Sequence, residues 1–302
     1  MRASAPFERR LQLFTGKGGT GKTTLVAALG LAHAARGRRP LLLELGHRAS
    51  LGDVLGAAID HAEREVRPGL WATNLAPGAA VEAMVERALP SRVARSFLGA
   101  RPVRTFVDAA PGVIEVATLD RLRALVADSD FDPILVDADA TGHTQMLLAL
   151  PDVLGSLGVE GPIAALLDEI MGVLASEKSA ATHLAALPTH LAVEETLELW
   201  DGLVRTRRVA LGHVVLGRVE GREAASLDLG ALAARRASAS GPAASALALL
   251  AVDARRWARV DEARRALRAH GIEARLVDEI EGALDEAALR RIGLSLLEEP
   301  AS

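Results

Sequence analysis

The chain has 302 residues, 35 Lys+Arg against 39 Asp+Glu for a net charge of −4, and half of its side chains are apolar. This suits one large α/β domain or two small ones with a sizeable core, excludes a disordered chain, and argues against a nucleic-acid or polybasic membrane binder. Cysteine is absent, which excludes disulfides, thiolate metal sites and cysteine nucleophiles; apolar runs such as 41–45 and 146–150 are far shorter than the ~20 residues of a membrane span, and no apolar leader follows the charged start, so the expected location is the cytoplasm.

In chain order, a short apolar strand is expected over 11–14. It runs into Gly16-Lys17-Gly18-Gly19-Thr20-Gly21-Lys22-Thr23-Thr24, followed by an alanine-rich helix over 25–35 that stops near Gly37. Pro40 opens a second run, L-L-L-E-L over 41–45, continuous enough for a strand buried on both faces. A strand over 70–75 ends before Pro77-Gly78. The pattern then turns helical to about residue 100, with Val81, Met84, Val85 and Ala88 at helical spacing. A helix over 118–127 leads through Phe131-Asp132-Pro133 to a strand at 134–136. Beyond Asp137 lie a loop and an apolar stretch, 146–174, in which Ile163, Leu166, Leu167, Ile170, Met171 and Leu174 share one helical face. Further strands are expected at 182–187, 209–216, 246–252 and 272–277, with helices between them, notably 193–205 and 253–270. The segment 289–297 is weakly amphipathic. Strands alternating with helices of crossover length imply one α/β domain over 1–302, a mostly parallel sheet flanked by helices, with helical insertions at about 79–127 and 145–180.

Residues 16–23 satisfy G-x-x-x-x-G-K-[ST] between a strand and a helix, as a phosphate-binding P-loop requires. Glycines let successive backbone N–H groups face inward as an anion nest, and the following helix points its positive end at the phosphates. Lys22 is expected to reach the β- and γ-phosphates, and the Thr23 hydroxyl to ligate Mg²⁺. Only three residues are lysine, against 32 arginines, yet Lys17 and Lys22 both stand in this loop. An ammonium and a guanidinium are not interchangeable on a phosphate, so lysine chemistry is wanted there. Asp137, at the end of a strand, is placed to hold Mg²⁺ through water.

The form K-G-G-T-G-K-T-T is similar to the deviant loop of the dimerising ATPases that include partition, septum-positioning, nitrogenase-reductase and ArsA-like proteins. The resemblance implies that Lys17 reaches across a dimer interface to the partner's nucleotide. Residues 137–144, D-A-D-A-T-G-H-T, followed by Q-M-L-L-A-L-P, resemble the D-T-A-P-T-G-H-T signature of the arsenite-pump and tail-anchored-protein-targeting ATPases. Pro111-Gly112 with Glu115, the stretch L-G-D-V-L-G over 51–56 and the segment 71–84 resemble further parts of that family, so the likeness extends from about residue 11 to 219. It implies a P-loop fold, ATP and Mg²⁺ as ligands, and a switch around Gly142 that orders on the γ-phosphate.

Departures from the family pattern are as informative. Alignment on L-G-D-V-L-G puts Gly46 where the family carries the first-switch aspartate that orients the attacking water, His47 at its proline and Ser50 at its asparagine. Glu44 and Asp139 are the replacement carboxylates within reach, and slow turnover is expected. Leu216 or Gly217 stands where family members read adenine with an asparagine. Without cysteine the chain has neither the arsenite site of the pump ATPases nor the zinc pair that bridges the eukaryotic targeting ATPases. His183 and His190 are expected to be surface or satisfied residues, and the arginines of 253–270 a solvated face. The expected function is an ATP-binding, ArsA-like switch ATPase, a homodimer or a heterodimer with a paralogue. It couples nucleotide state to a helical surface, with 146–174 either a groove for a hydrophobic protein client or a buried layer. A weakly hydrolysing assembly subunit and an anion-pump ATPase subunit are the alternatives.

Overall fold

The computed structural model describes residues 5–46, 50–100, 112–138 and 161–298. Their centre is an eight-stranded sheet of β1 (Leu11–Thr15), β2 (Leu41–Leu45), β3 (Arg64–Arg67), β4 (Leu70–Leu75), β5 (Ile134–Asp137), β6 (Ala180–Ala186), β7 (Leu211–Val219) and β8 (Arg275–Asp278). The strand order is β3-β4-β2-β5-β1-β6-β7-β8, and every neighbouring pair is parallel except β3–β4. The expected α/β architecture, a mostly parallel sheet flanked by helices in the manner of a P-loop NTPase, is the one observed.

Side-chain alternation along the strands builds two cores. Leu11, Leu13, Leu41, Leu43, Ile134 and Val136 face one side, where α3 (Pro77–Ala88), α5 (Val113–Asp128), α6 (Pro162–Leu174), α7 (His190–Thr206) and the second half of α9 (Gly241–Ala269) pack. Phe14, Leu42 and Leu135 face the other side, against α1 (Lys22–Ala35), α2 (Ser50–Leu55) and α10 (Glu286–Leu297). Two further helices among the described residues are α4 (Ser91–Gly99) and α8 (Leu229–Ser238). Leucine run 41–43 is wholly buried because both faces of β2 are covered.

Several expectations are corrected. Residues 246–252 are not a strand but lie within α9, which begins near Pro242 and runs for 29 residues. The run is all alanine, leucine and valine; the strong helix propensity of Ala and Leu joins it to the helix after it. The helical stretch from 79 is interrupted at Pro90, between α3 and α4, since proline lacks the N–H that a continuous helix would use. Residues 289–297 form a docked helix: a Cβ on Gly293 would stand 2.0 Å from the carbonyl oxygen of Ala28 on α1, and Leu289, Ile292 and Leu296 are buried. His183 is fully buried, stacked between Phe7 and Phe14, and its Nδ1 accepts the backbone N–H of His213 at 3.0 Å. His190 is exposed. In the described half of the stretch 146–174, Leu167, Ile170, Met171 and Leu174 are buried, the last three in the main core. Residues 139–160, including Asp139, Gly142 and Met146, lie outside the described residues, as do His47 and Pro111.

Candidate functional site

The site forms where β1 gives way to α1. Thr15 ends a buried strand, and the chain turns through residues 16–21 before Lys22 opens the helix. Glycine is required at specific points of this turn. A Cβ at Gly16 would stand 2.3 Å from the Ala185 carbonyl oxygen on β6, and the φ of Gly16, Gly19 and Gly21 is +139°, +80° and +91°. Among the described residues beyond their chain neighbours, no atom lies within 4 Å of where a Cβ on Gly18 or Gly19 would be, so their backbone is open to an approaching ligand. The Thr20 hydroxyl donates to the Lys17 carbonyl at 2.8 Å and braces the turn.

Lys22 folds back over this loop. Its Nζ donates to the carbonyl oxygens of Gly16 at 2.9 Å and Lys17 at 3.1 Å. In the first turn of α1, next to Lys22, the Thr23 hydroxyl donates to Oδ2 of Asp137 at 2.6 Å. Asp137 is 5% exposed at the end of β5, next to β1 in the sheet and in register with Phe14. A cation, a hydroxyl and a buried carboxylate therefore surround the positive end of α1. The oxygen donors Thr23 and Asp137 fit Mg²⁺, a hard ion bound through few protein ligands and several waters. The nest of N–H groups with Lys22 fits the phosphates it would accompany.

Lys17 points elsewhere. Its Nζ makes an ion pair of 2.5 Å with Oε1 of Glu195 on α7, and both side chains are partly exposed. Glu195 was not legible in the sequence: within V-E-E-T-L-E-L-W it looks like any acidic residue on a helix surface. The pair lines a cavity of about 290 Å³ together with Gly16, Thr20, Ala186 and Leu199. On the other flank of the loop, a cavity of about 260 Å³ is bounded by Thr20, Thr24, Gly217, Arg218, Glu279 and Ile280. Leu216 is buried in the core, so Gly217 is the residue facing the loop, its Cβ position 3.4 Å from the Thr20 carbonyl oxygen.

Glu44 is 3% exposed at the end of β2, in register with Asp137 on β5 and Asn74 on β4. Its Oε1 accepts the N–H of Ser50 at 2.8 Å, and Oε2 accepts the N–H of Leu51 at 3.4 Å and Nδ2 of Asn74 at 3.3 Å. The carboxylate thus sits at the positive end of the short helix α2 and fastens it to the sheet. Of the residues expected at the site, the structure gathers 16–24 and Asp137, sets Glu44 beside them as the anchor of α2, and turns Lys17 toward α7.

Comparison with known proteins identifies the family. A family model described as anion-transporting ATPase, ArsA type, matches residues 9–196. The ATPase BagA of Mycobacterium tuberculosis is 30% identical over 225 residues, covering 69% of this chain and 65% of that protein. The arsenical pump-driving ATPase of Acidiphilium multivorum is 32% identical over 160 residues, 49% of this chain and 27% of that one. One from Escherichia coli is 32% identical over 149 residues, 46% and 25%. The chain spans about two thirds or less of the length of each of these relatives.

Proposed function

The chain belongs to the anion-transporting ATPase family of ArsA type, and from that premise we propose that it binds ATP with Mg²⁺ at residues 16–24 and hydrolyses it slowly as a nucleotide-bridged dimer. The observation that carries this is the arrangement around α1: Lys22 poised over two loop carbonyls, and Thr23 bonded to a buried Asp137. On ATP binding, Lys22 exchanges those carbonyls for phosphate oxygens, and the loop N–H groups take up the rest of the charge. Thr23 and Asp137 would hold Mg²⁺, which would supply neutralisation of phosphate charge. Adenine fits the flanking cavity beside Gly217, where backbone groups and not an asparagine side chain would read it.

Lys17 completes the site of a second copy. Its ion pair with Glu195 keeps the ammonium near the loop in the single chain, and the contact is partly exposed, so it is worth at most about 1 kcal/mol and is readily exchanged for a partner's phosphate. Either Glu44 or Asp139 orients the attacking water in place of the residue that Gly46 has replaced. Glu44 receives three N–H donors, which hold its carboxylate at the start of α2 rather than free to turn toward a water. The switch moves a helical surface, and a hydrophobic protein segment is the class of client proposed for it; the part of the stretch 146–174 that forms α6 is a buried layer and not that surface.

Light scattering with and without ATP-Mg²⁺, with phosphate release read in the same samples, tests this. A mass that doubles on ATP, followed by slow release, is expected. A monomer under both conditions contradicts it. Dimerisation with no release points to the assembly-subunit role, and single-turnover hydrolysis unchanged in both Glu44→Gln and Asp139→Asn removes those two carboxylates from the mechanism.

A further inference from the structure

A cleft of about 590 Å³ lies between α3 and α5 and shares no residue with the phosphate-loop site. Both helices run away from the carboxyl edge of the sheet, α3 because it follows β4 and α5 because it precedes β5. The gap between them comes from small side chains. Ala79 and Ala83 on α3 and Ala124 on α5 line it and are too small to fill the space between two helix backbones. Its floor is apolar, made of Leu75 at the end of β4, Leu125 on α5 and Phe131, all three buried. A cavity of several hundred Å³ with an apolar floor and a few polar groups has the form of a small-molecule site. From Ala79 to Arg87 the cleft follows α3 for about 12 Å, two turns, which suits a small molecule and is short for a protein helix.

The rim sets the sign of the ligand. Four carboxylates line it, Glu63, Glu82, Glu86 and Asp128, against two guanidiniums, Arg87 and Arg121. Both guanidiniums are already matched: Arg121 donates to Glu63, and Arg87 to the buried Asp120, which also takes Arg123. Arg39, outside the lining, lies over the Phe131 ring with its guanidinium carbon 4.8 Å from the centroid, and it faces Asp130 at 3.9 Å. His61, the remaining titratable group of the lining, is exposed. That leaves Glu82, Glu86 and Asp128, all exposed and none in an ion pair among the described residues. Glu82 and Glu86 stand four apart on α3 and repel one another, a repulsion that a cation at the rim relieves.

We propose that this cleft binds a small organic cation, an amine carried on an apolar aromatic or aliphatic body. The body rests on Leu75, Leu125 and Phe131, and the ammonium stands at Glu82, Glu86 and Asp128. An anion of the same shape would meet three carboxylates without a counter-charge, and a small polar cation would leave the floor uncovered.

Three probes of one shape separate these contributions: 3-phenylpropylamine, 3-phenylpropanol and 3-phenylpropionate, each titrated calorimetrically into the full chain at low salt. The amine is expected to bind at least about fivefold tighter than the alcohol, and the carboxylate at least about fivefold weaker. Glu82→Gln/Glu86→Gln/Asp128→Asn should bring the three probes within about twofold of one another, because the rim charge is gone while the floor stays. Ala83→Leu, at a half-buried position that lines the cleft, should weaken all three by about tenfold or more. The helical circular dichroism signal and the urea midpoint of both variants should match those of the wild type. No measurable binding of the amine, or equal binding of amine and alcohol to the wild type, overturns the proposal. A preference that survives the triple variant, or an amine affinity unchanged in Ala83→Leu, places the site elsewhere and overturns it too. Ethylamine binding as tightly as 3-phenylpropylamine would reveal an acidic patch with no use for its floor, and would equally overturn it.

Discussion

Lys17 and Lys22 stand five residues apart in one loop and meet different partners. Lys22 bonds to the loop's own carbonyls, and Lys17 crosses to Glu195. Lys22→Ala is expected to lower the hydrolysis rate by about 10²–10³-fold, the loss typical of one electrostatic contact to a developing charge. Lys22→Arg should not rescue it, because a planar fork cannot replace a point charge in the same turn. Stability, read by urea midpoint, should be unchanged in both. Glu195→Gln should leave stability within about 0.5 kcal/mol, since the pair is exposed, while tightening ATP-driven association up to about fivefold by freeing Lys17. A weaker dimer in Glu195→Gln would count against a restraining role.

Acid sensitivity also belongs to single residues. Burial holds His33 down at about 4, with Arg38 adding to the effect, and its Nε2 faces the Phe7 carbonyl at 3.0 Å. Burial likewise holds His183 well below its usual range and His213 at about 4. These groups are neutral in the folded chain and take up protons once unfolded, so stability is full above pH 6.5 and falls toward pH 4. The slope is about 1.4 kcal/mol per pH unit for each histidine. Unfolding midpoints in urea measured between pH 7.5 and 4.5 should decline along this window, and His183→Phe, which keeps the stacking, should flatten the decline. The loop and Asp137 were legible because their chemistry is fixed by spacing and by position at a strand end. His183 was not: its burial comes from the 3₁₀ turn Pro6–Glu8 closing over β1 and β6, and no local pattern encodes that.

At the scale of elements, the sequence reveals those whose apolar pattern is local. Strands β1, β2, β4 and β5 are mostly apolar runs, and each appears where expected, within a residue at its ends. Strand β3, R-E-V-R, is invisible to the same rule, because an edge strand can be charged and short and still pair with a neighbour. Helix α2 has a related origin. Six residues with a glycine would not hold alone, and they stand because Leu51 and Leu55 are buried and Glu44 receives the first two N–H groups. Glu44→Ala should therefore lower stability by about 2–3 kcal/mol in addition to any effect on hydrolysis, whereas Glu44→Gln, which keeps acceptor oxygen, should lose less. Helix α10 reads as weak in sequence, yet it lies tightly on α1 because Gly293 admits the Ala28 carbonyl. Gly293→Leu should force the two helices apart and lower stability by about 3 kcal/mol or more, read by thermal or urea unfolding.

In the whole molecule, the parallel sheet brings the carboxyl ends of β1, β2, β5, β6 and β7 to one side, and the phosphate loop, Glu44, Asp137 and the exit to the α8–α9 hairpin all lie there. Among the described residues no helix is long and apolar enough to cross a membrane. One experiment tests the central claim, that Lys17 acts on a partner's nucleotide. Lys17→Ala retains its own phosphate loop but offers no lysine to a neighbour; Lys22→Ala has a disabled loop but still offers Lys17. Mixed in equal amounts, with half of the dimers hybrid and one working site in each, they should recover about a quarter of wild-type hydrolysis although each alone is nearly inactive. A mixture no more active than its two components would contradict action in trans and return Lys17 to its own loop.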